Sequence, residues 1–144
     1  MRDLVYYAEL VREKRGGFLV RFPDVPEALT EGDDRADALQ AAEDALVTAL
    51  GGYLEAKRAL PVAKRRKGLI AVRVPPLEAA KIALHEAMRA EGVSGRELAR
   101  RLDVQETAIR RLLDLGHRSH IGEVERALAL FGLKLTLRIE PAAA

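Results

Sequence analysis

No cysteine occurs among the 144 residues. Disulfides, thiol chemistry and Cys-ligated zinc are therefore excluded. No apolar run is long enough to span a bilayer, so no membrane association is expected. The start of the chain, Met1-Arg2-Asp3-Leu4-Val5, has no basic-then-apolar signal layout. Together these absences place the chain, as an expectation, in the cytoplasm. A phosphate-cradling glycine loop and a strand-to-helix nucleophile elbow are also missing. Aromatic residues make up 4 % of the chain, and few polar residues are placed to line a pocket, which argues against a small-molecule sensor.

Hydrophobic content is 49 % and charged content 32 %, the balance of a folded soluble chain. The length suits one domain or two small ones. The net charge of +2 conceals an asymmetry. Residues 1–62 carry 8 Lys+Arg against 12 Asp+Glu, a net of −4, and residues 63–144 carry 16 against 10, a net of +6. A basic C-terminal half suits a polyanion, whereas an acidic N-terminal half suits a basic partner.

Residues 4–11 form an aliphatic and aromatic run that predicts a buried strand. A turn with two glycines follows, and Phe18, Val20 and Phe22 alternate with Leu19 and Arg21, which predicts a hairpin closed by Pro23 and Pro26. A short third strand is expected around 28–30, ended by Gly32. Asp33 or Asp34 should cap a helix reaching about Ala56, with Leu39, Ala42, Leu46, Leu50 and Leu54 inward. Strands followed by one long helix form a small α+β layer with a thin core, so oligomerisation is expected. Residues 57–68 are a break holding Lys64, Arg65, Arg66 and Lys67, which is either a solvated linker or a phosphate-contacting arm. Residues 69–74 read as a strand that could rejoin the first sheet or pair with another chain. We therefore divide the sequence into residues 1–62, a linker and strand over 63–76, and a helical domain over 77–144.

The stretch from Ser94 to Leu113 is the most informative, because it has the pattern of a helix-turn-helix. Ser94 and Glu97 make an S-x-x-E capping box. Leu98, Leu102, Ile109 and Leu112 are spaced to pack two short helices together, with Ala99 small at their crossing and Val104 sealing the turn. The turn usually carries Gly; Asp103 stands there, a residue that tolerates the left-handed conformation. Gln105, Glu106, Thr107, Arg110 and Arg111 lie on the outer face of the second helix, with chemistry suited to base edges and phosphates. The competing reading is an ordinary helical hairpin with a charged surface. An amphipathic helix over 77–91 precedes this unit. Gly116 is expected to end the recognition helix, and a further helix over 121–131 is closed by Gly132. Leu133, Leu135, Leu137 and Ile139 then alternate with polar residues. They predict a strand that has no sheet of its own and would pair with a second protomer.

Other chemistry is sparse. His117 and His120 flank Arg118 in the loop after the recognition helix, where phosphate contact is the first reading and a metal the last. His85 reads as helix surface. Asp33, Asp34 and Asp37 crowd a helix start, where the helix dipole accounts for them, so neither a metal-dependent nuclease nor any enzyme is expected. No cofactor or metal is expected either.

The phrase Phe22-Pro23-Asp24-Val25-Pro26, followed by Thr30-Glu31-Gly32-Asp33 and the Ala-rich helix through Ala38, Leu39 and Glu43-Asp44-Ala45-Leu46, resembles the HicB family of antitoxins. Some members of that family carry a C-terminal helix-turn-helix, matching residues 77–132. The resemblance implies an N-terminal domain like a stripped-down ribonuclease H fold without its catalytic acids. It also implies that this domain covers the active site of HicA, a small basic mRNA-cleaving toxin, and Phe22, Pro23 and Asp24 are taken as toxin-binding candidates. The family's Gly after Asp-x-Pro is Glu27 here, so a different local turn is expected. The resulting expectation is an antitoxin and autorepressor, a homodimer or tetramer. Its base readers would be Gln105, Thr107 and Arg110; Arg111, Arg118 and residues 64–67 would hold phosphates. The alternatives are a stand-alone helix-turn-helix regulator with an oligomerising or ligand-sensing N-terminal domain, and a nuclease with a DNA-binding tail.

Overall fold

Alternating apolar residues build the first hairpin. In the computed structural model, which describes residues 4–142, β1 (Val5–Arg12) pairs antiparallel with β2 (Phe18–Phe22), Glu9 opposite Arg21 and Val11 opposite Leu19. Gly16 and Gly17 turn the chain at φ +94° and +80°, a region closed to most side chains. The third strand is longer than expected. β3 (Val25–Gly32) runs eight residues beside β2. Pro26, expected to end a strand, lies within this one. It is tolerated because β3 is an edge strand, where a missing N–H breaks no ladder.

β4 (Ile70–Arg73) takes the other side of β1, antiparallel, giving the order β3-β2-β1-β4. The strand read over 69–74 thus rejoins the first sheet. The path before it brings it there. Helix α1 (Arg35–Glu55) ends where Tyr53 meets Glu27, near the β2–β3 connection. The chain then passes Tyr6, whose hydroxyl donates to the Pro61 carbonyl at 2.8 Å, and so arrives beside β1.

Helix α1 lies on the sheet. Asp34 is its N-cap, accepting from the Asp37 N–H at 2.8 Å, and the Asp37 carboxylate accepts from the Asp33 N–H at 2.9 Å. Ala38, Ala42, Leu46, Leu50 and Tyr53 are its buried residues. Leu39 and Leu54, expected inward, are only half-buried; the true stripe is turned toward small residues that let helix and sheet approach. Gly32 shows how close that approach is. A Cβ there would stand 2.3 Å from the Ala38 nitrogen, closer than any side chain can sit. With Tyr6, Ala8, Val20, Phe22, Val25, Ala28 and Val72, α1 encloses the core of this unit, Met1–Pro75.

The second unit, Pro76–Ala144, is helical. It comprises α2 (Pro76–Glu91), α3 (Gly95–Leu102), α4 (Glu106–Leu113) and α5 (Ile121–Ala129). Its core joins Ala80, Leu84 and Met88 of α2 to Leu98 and Ala99 of α3, Ile109 and Leu112 of α4, and Val124, Ala127 and Leu128 of α5. Leu84, Leu98 and Val124 are each 0 % exposed, and burial of such side chains contributes about 2 kcal/mol apiece. One expectation fails here. Helix α4 stops at Leu113 with Asp114 extended, three residues before Gly116, because Asp114 accepts the Gly116 N–H on its side chain and turns the chain early. Within one chain residues 133–139 join no ladder: Leu133 and Leu135 pack on the helical core, which leaves a second protomer as the partner this segment would need to be a strand.

Candidate functional site

Helices α3 and α4 meet through a three-residue connection. Ser94 caps α3 by accepting the Glu97 N–H on its hydroxyl at 3.1 Å. Only that half of the capping box forms. The Glu97 carboxylate turns instead to Arg100 and Arg101, at 2.6 and 3.0 Å, and the Arg100 bond first of all holds its pKa down to about 2. Asp103 ends α3 in the left-handed region, φ 54° and ψ 49°, as the sequence required. Ala99 is buried, and Gly95 lies close enough to α4 that a Cβ there would touch Ile109 at 3.6 Å. Val104, expected to seal the turn, remains 42 % exposed.

The outward face of α4 carries Thr107, Arg110 and Arg111, one helical turn apart and opposite the buried Ile109 and Leu112. Gln105 is the N-cap, yet its side chain makes no capping bond. Glu106 is the exception on this face, since its carboxylate holds Arg96 of α3 at 3.2 Å. Arg118 is in the loop that follows, where the His117 ring meets the Ser119 hydroxyl at 3.1 Å. Arg110, Arg111 and Arg118 form no ion pair among the described residues.

Sequence reasoning missed two residues behind this face. Lys81 of α2 is 0 % exposed. Its ammonium donates to the carbonyls of Arg111, Asp114 and His117 at 3.1, 2.7 and 2.7 Å, which uses all three of its donors. Burial lowers its pKa, against the pull of Asp114, Glu78 and Glu123. His85, one turn along, places Nε2 2.7 Å from the Leu113 carbonyl. A carbonyl can only accept, so the neutral ring carries its proton on Nε2. Burial likewise lowers the His85 pKa below its ordinary value. The signal that could have found them was the i, i+4 pair of polar residues on the apolar side of an amphipathic helix.

The first unit uses its motif residues differently. Phe22 is 1 % exposed, a core side chain that cannot reach a partner. Pro23 is exposed. Asp24 accepts the Lys64 N–H at 2.8 Å and the Arg66 guanidinium at 3.2 Å. It thereby staples the basic run to the β2–β3 turn. Lys64, Arg65, Arg66 and Lys67 therefore belong to the first unit, while Gln105, Glu106, Thr107, Arg110, Arg111 and Arg118 belong to the second. This placement removes the charge asymmetry. Residues 1–75 carry 13 Lys+Arg and 12 Asp+Glu, and residues 76–144 carry 11 and 10, so each unit is +1. The electrostatic case for a polyanion rests on the local set around α4, not on bulk charge.

Glu27 makes no turn. It lies in β3, and its carboxylate accepts the Tyr53 hydroxyl at 2.8 Å with Arg58 3.9 Å away. These three residues, with Leu29, Thr30 and the α1 residues Ala41, Ala45 and Ala49, line a groove of about 690 Å³ along the open edge of β3. Leu29 is 60 % exposed there. Asp33, Asp34 and Asp37 are engaged at the start of α1, and among the described residues no three His, Asp or Glu side chains converge as a metal site. No helix of the described residues is long and apolar enough to cross a membrane.

Comparison with known proteins agrees across both units. The family model for the HicB-like antitoxin of bacterial toxin–antitoxin systems matches residues 5–83. An Antitoxin HicB of Pseudomonas fluorescens is 39 % identical over 138 residues, which is 94 % of each chain. Antitoxin HicB 2 of Photorhabdus laumondii is 43 % identical over 121 residues, 84 % of this chain and 86 % of that one. The Antitoxin HicB of Escherichia coli K12 is 35 % identical over 133 residues, 92 % of this chain and 96 % of that one. The chain belongs to the HicB-like antitoxin family.

Proposed function

We propose that this antitoxin works by binding alone, through two surfaces in two units. The first unit neutralises a HicA-type, mRNA-cleaving ribonuclease by covering its active site. The second is a helix-turn-helix that represses the antitoxin's own operon by binding operator DNA in the cytoplasm. The observation that carries the second half is the exposed face of α4, where Arg110 and Arg111 form no ion pair among the described residues and Gln105 and Thr107 lie beside them. Residues of this kind on the second helix of such a pair read base edges and hold phosphates. Gln105, Thr107 and Arg110 are the base readers; Arg111 and Arg118 hold phosphates. Lys64, Arg65 and Lys67 add phosphate contacts from an arm rooted on Asp24. Glu106, tied to Arg96, fixes the helix pair rather than the DNA.

For the toxin, the exposed Pro23 and the open β3 edge offer a surface, and Glu31, Asp33, Asp34 and Asp37 beside that edge suit a basic partner. Leu137 and Ile139, 73 % and 89 % exposed, pair with the same segment of a second copy, which makes the homodimer or tetramer that a two-fold operator needs. The test is mild affinity purification from native lysate, with mass spectrometry of what co-elutes. A stoichiometric small basic protein, cleaving RNA once freed, establishes the toxin half. A clean homo-oligomer without partner refutes it and leaves a stand-alone regulator.

A further inference from the structure

We propose that Lys81 and His85 are positioning residues for DNA reading: together they clamp the C-terminal end of the recognition helix α4 and the loop after it onto α2. The inference rests on the operator-binding reading above and names the residues that give it precision. A helix ends with carbonyls that have no partner of their own. A C-terminal glycine commonly turns the chain so that backbone N–H groups satisfy them. Helix α4 has no such turn, because Asp114 is extended and bonds back only to the Arg111 carbonyl. Backbone N–H groups of Asp114, His117 and Ser119 reach the carbonyls of Arg111, Asp114 and His117, and two side chains from α2 add further bonds to this end. Lys81 takes the carbonyls of Arg111, Asp114 and His117, and His85 takes that of Leu113.

The bonded carbonyls begin beside Arg110 and end beside Arg118. One ammonium therefore fixes both the last turn of α4 and the loop carrying Arg118. It also places a cation at the negative end of the helix dipole. Apolar contacts through Ile109 and Leu112 hold α4 against the core, but such contacts are non-directional. The directional bonds to Lys81 and His85 set where the helix end and loop point. Base readout needs that precision, since contacts tolerate errors of only about 0.5 Å. Attraction to phosphates as such does not need it.

The test uses the full chain with Lys81→Met, which keeps length and apolar packing, and with the milder His85→Ala. Operator and random-sequence duplexes are titrated at one salt concentration, and amide hydrogen exchange is followed over residues 114–119. Operator preference over random DNA should fall about tenfold in Lys81→Met, the weight of a single base reader. It should fall by about a third to a half as many decades in His85→Ala. Random-sequence affinity should hold, and exchange over 114–119 should quicken. A merely structural defect would lower both affinities together. If Lys81→Met does not fold, His85→Ala decides the matter. An unchanged operator preference in a folded variant overturns the proposal. Should the unaltered chain bind no operator, the operator reading fails by itself. Exchange then judges the clamp: quickened exchange supports it and unchanged exchange overturns it.

Discussion

The two units handle their polar residues in opposite ways. In the first, the distinctive motif is consumed by architecture. Phe22 fills the core, Asp24 staples the basic run, Gly32 admits α1 and Asp34 caps it. In the second, the distinctive motif is divided. Ser94 and Asp103 shape the helices, with Lys81 and His85 of α2 behind them, while Gln105, Thr107, Arg110 and Arg111 remain on the surface. A motif in the first unit therefore marks a fold, whereas one in the second marks a fold and the face it presents. The difference also bears on formation: the first unit depends on pairing between distant strands, the second on short helices, so loop closure costs the first unit more.

The sharpest way to separate the units is Gly32→Ala. The added Cβ would meet backbone at 2.3 Å, which no rotamer can relieve, and overpacking of this severity costs about 3 kcal/mol or more. All three tyrosines, Tyr6, Tyr7 and Tyr53, lie in the first unit. Tyrosine fluorescence in a urea titration therefore reports that unit alone. Its midpoint should drop steeply and toxin neutralisation should disappear, while operator binding persists. An equal fall in operator binding would mean that the units do not stand separately.

Arg110→Ala with Arg111→Ala reverses the comparison. Removing either guanidinium costs about 1–3 kcal/mol if it reads a base. Operator affinity should collapse with the tyrosine transition and toxin neutralisation unchanged. Unaltered operator affinity would show that α4 is not the reading helix. A smaller effect is expected of Leu137→Asp with Ile139→Asp. These side chains are among the most exposed large hydrophobics, so the monomer fold should be indifferent. Light scattering should show the oligomer dissociating, with each side chain buried between copies having supplied about 2 kcal/mol. An oligomer that survives would move the interface elsewhere.

How much of this was legible depends on whether a residue's role is local. The capping of α3 by Ser94 and the left-handed Asp103 follow from neighbours within a few positions, and the sequence showed both. The α+β order and α1 from Asp34 were readable for the same reason. The length of β3 was not, because whether Pro26 breaks a strand depends on its lying at the edge of the sheet. The buried stripe of α1 differs by one position from the expected one because Leu39 and Leu54 outweigh Ala38 in any apolar count, yet only a small side chain fits beside Gly32. Charge by halves misled because five cations lay just past the chosen boundary yet belong to the first unit, Lys64 and Arg66 through Asp24 and Arg73 through β4. Lys81 was overlooked because a lysine in an amphipathic helix ordinarily faces water, although its i, i+4 spacing from His85 on the apolar side was there to be read. Only the carbonyls at the end of α4, thirty residues away, explain its burial.

The smallest predicted effect tests the half-formed capping box. Glu97 has its carboxyl at about 2 against an ordinary 4.5, through hydrogen bonds from Arg100 first and Arg101 next. The folded chain thus holds this proton less tightly than the unfolded chain. The stability Glu97 contributes is whole above the unfolded value and disappears as pH falls through 4.5 toward 2. The ion pairs are exposed, so solvent and salt screen them and the contribution is small. In Glu97→Gln that pH dependence should be gone, while the Ser94 cap, which binds the backbone N–H of residue 97, remains. Hydrogen exchange of α3 amides should separate the two proteins near neutral pH and bring them together in acid. The separation should shrink at high salt. Parallel curves at every pH would show that Glu97 holds the start of α3 by its backbone alone, and that the arginines gain nothing from it that water does not already give.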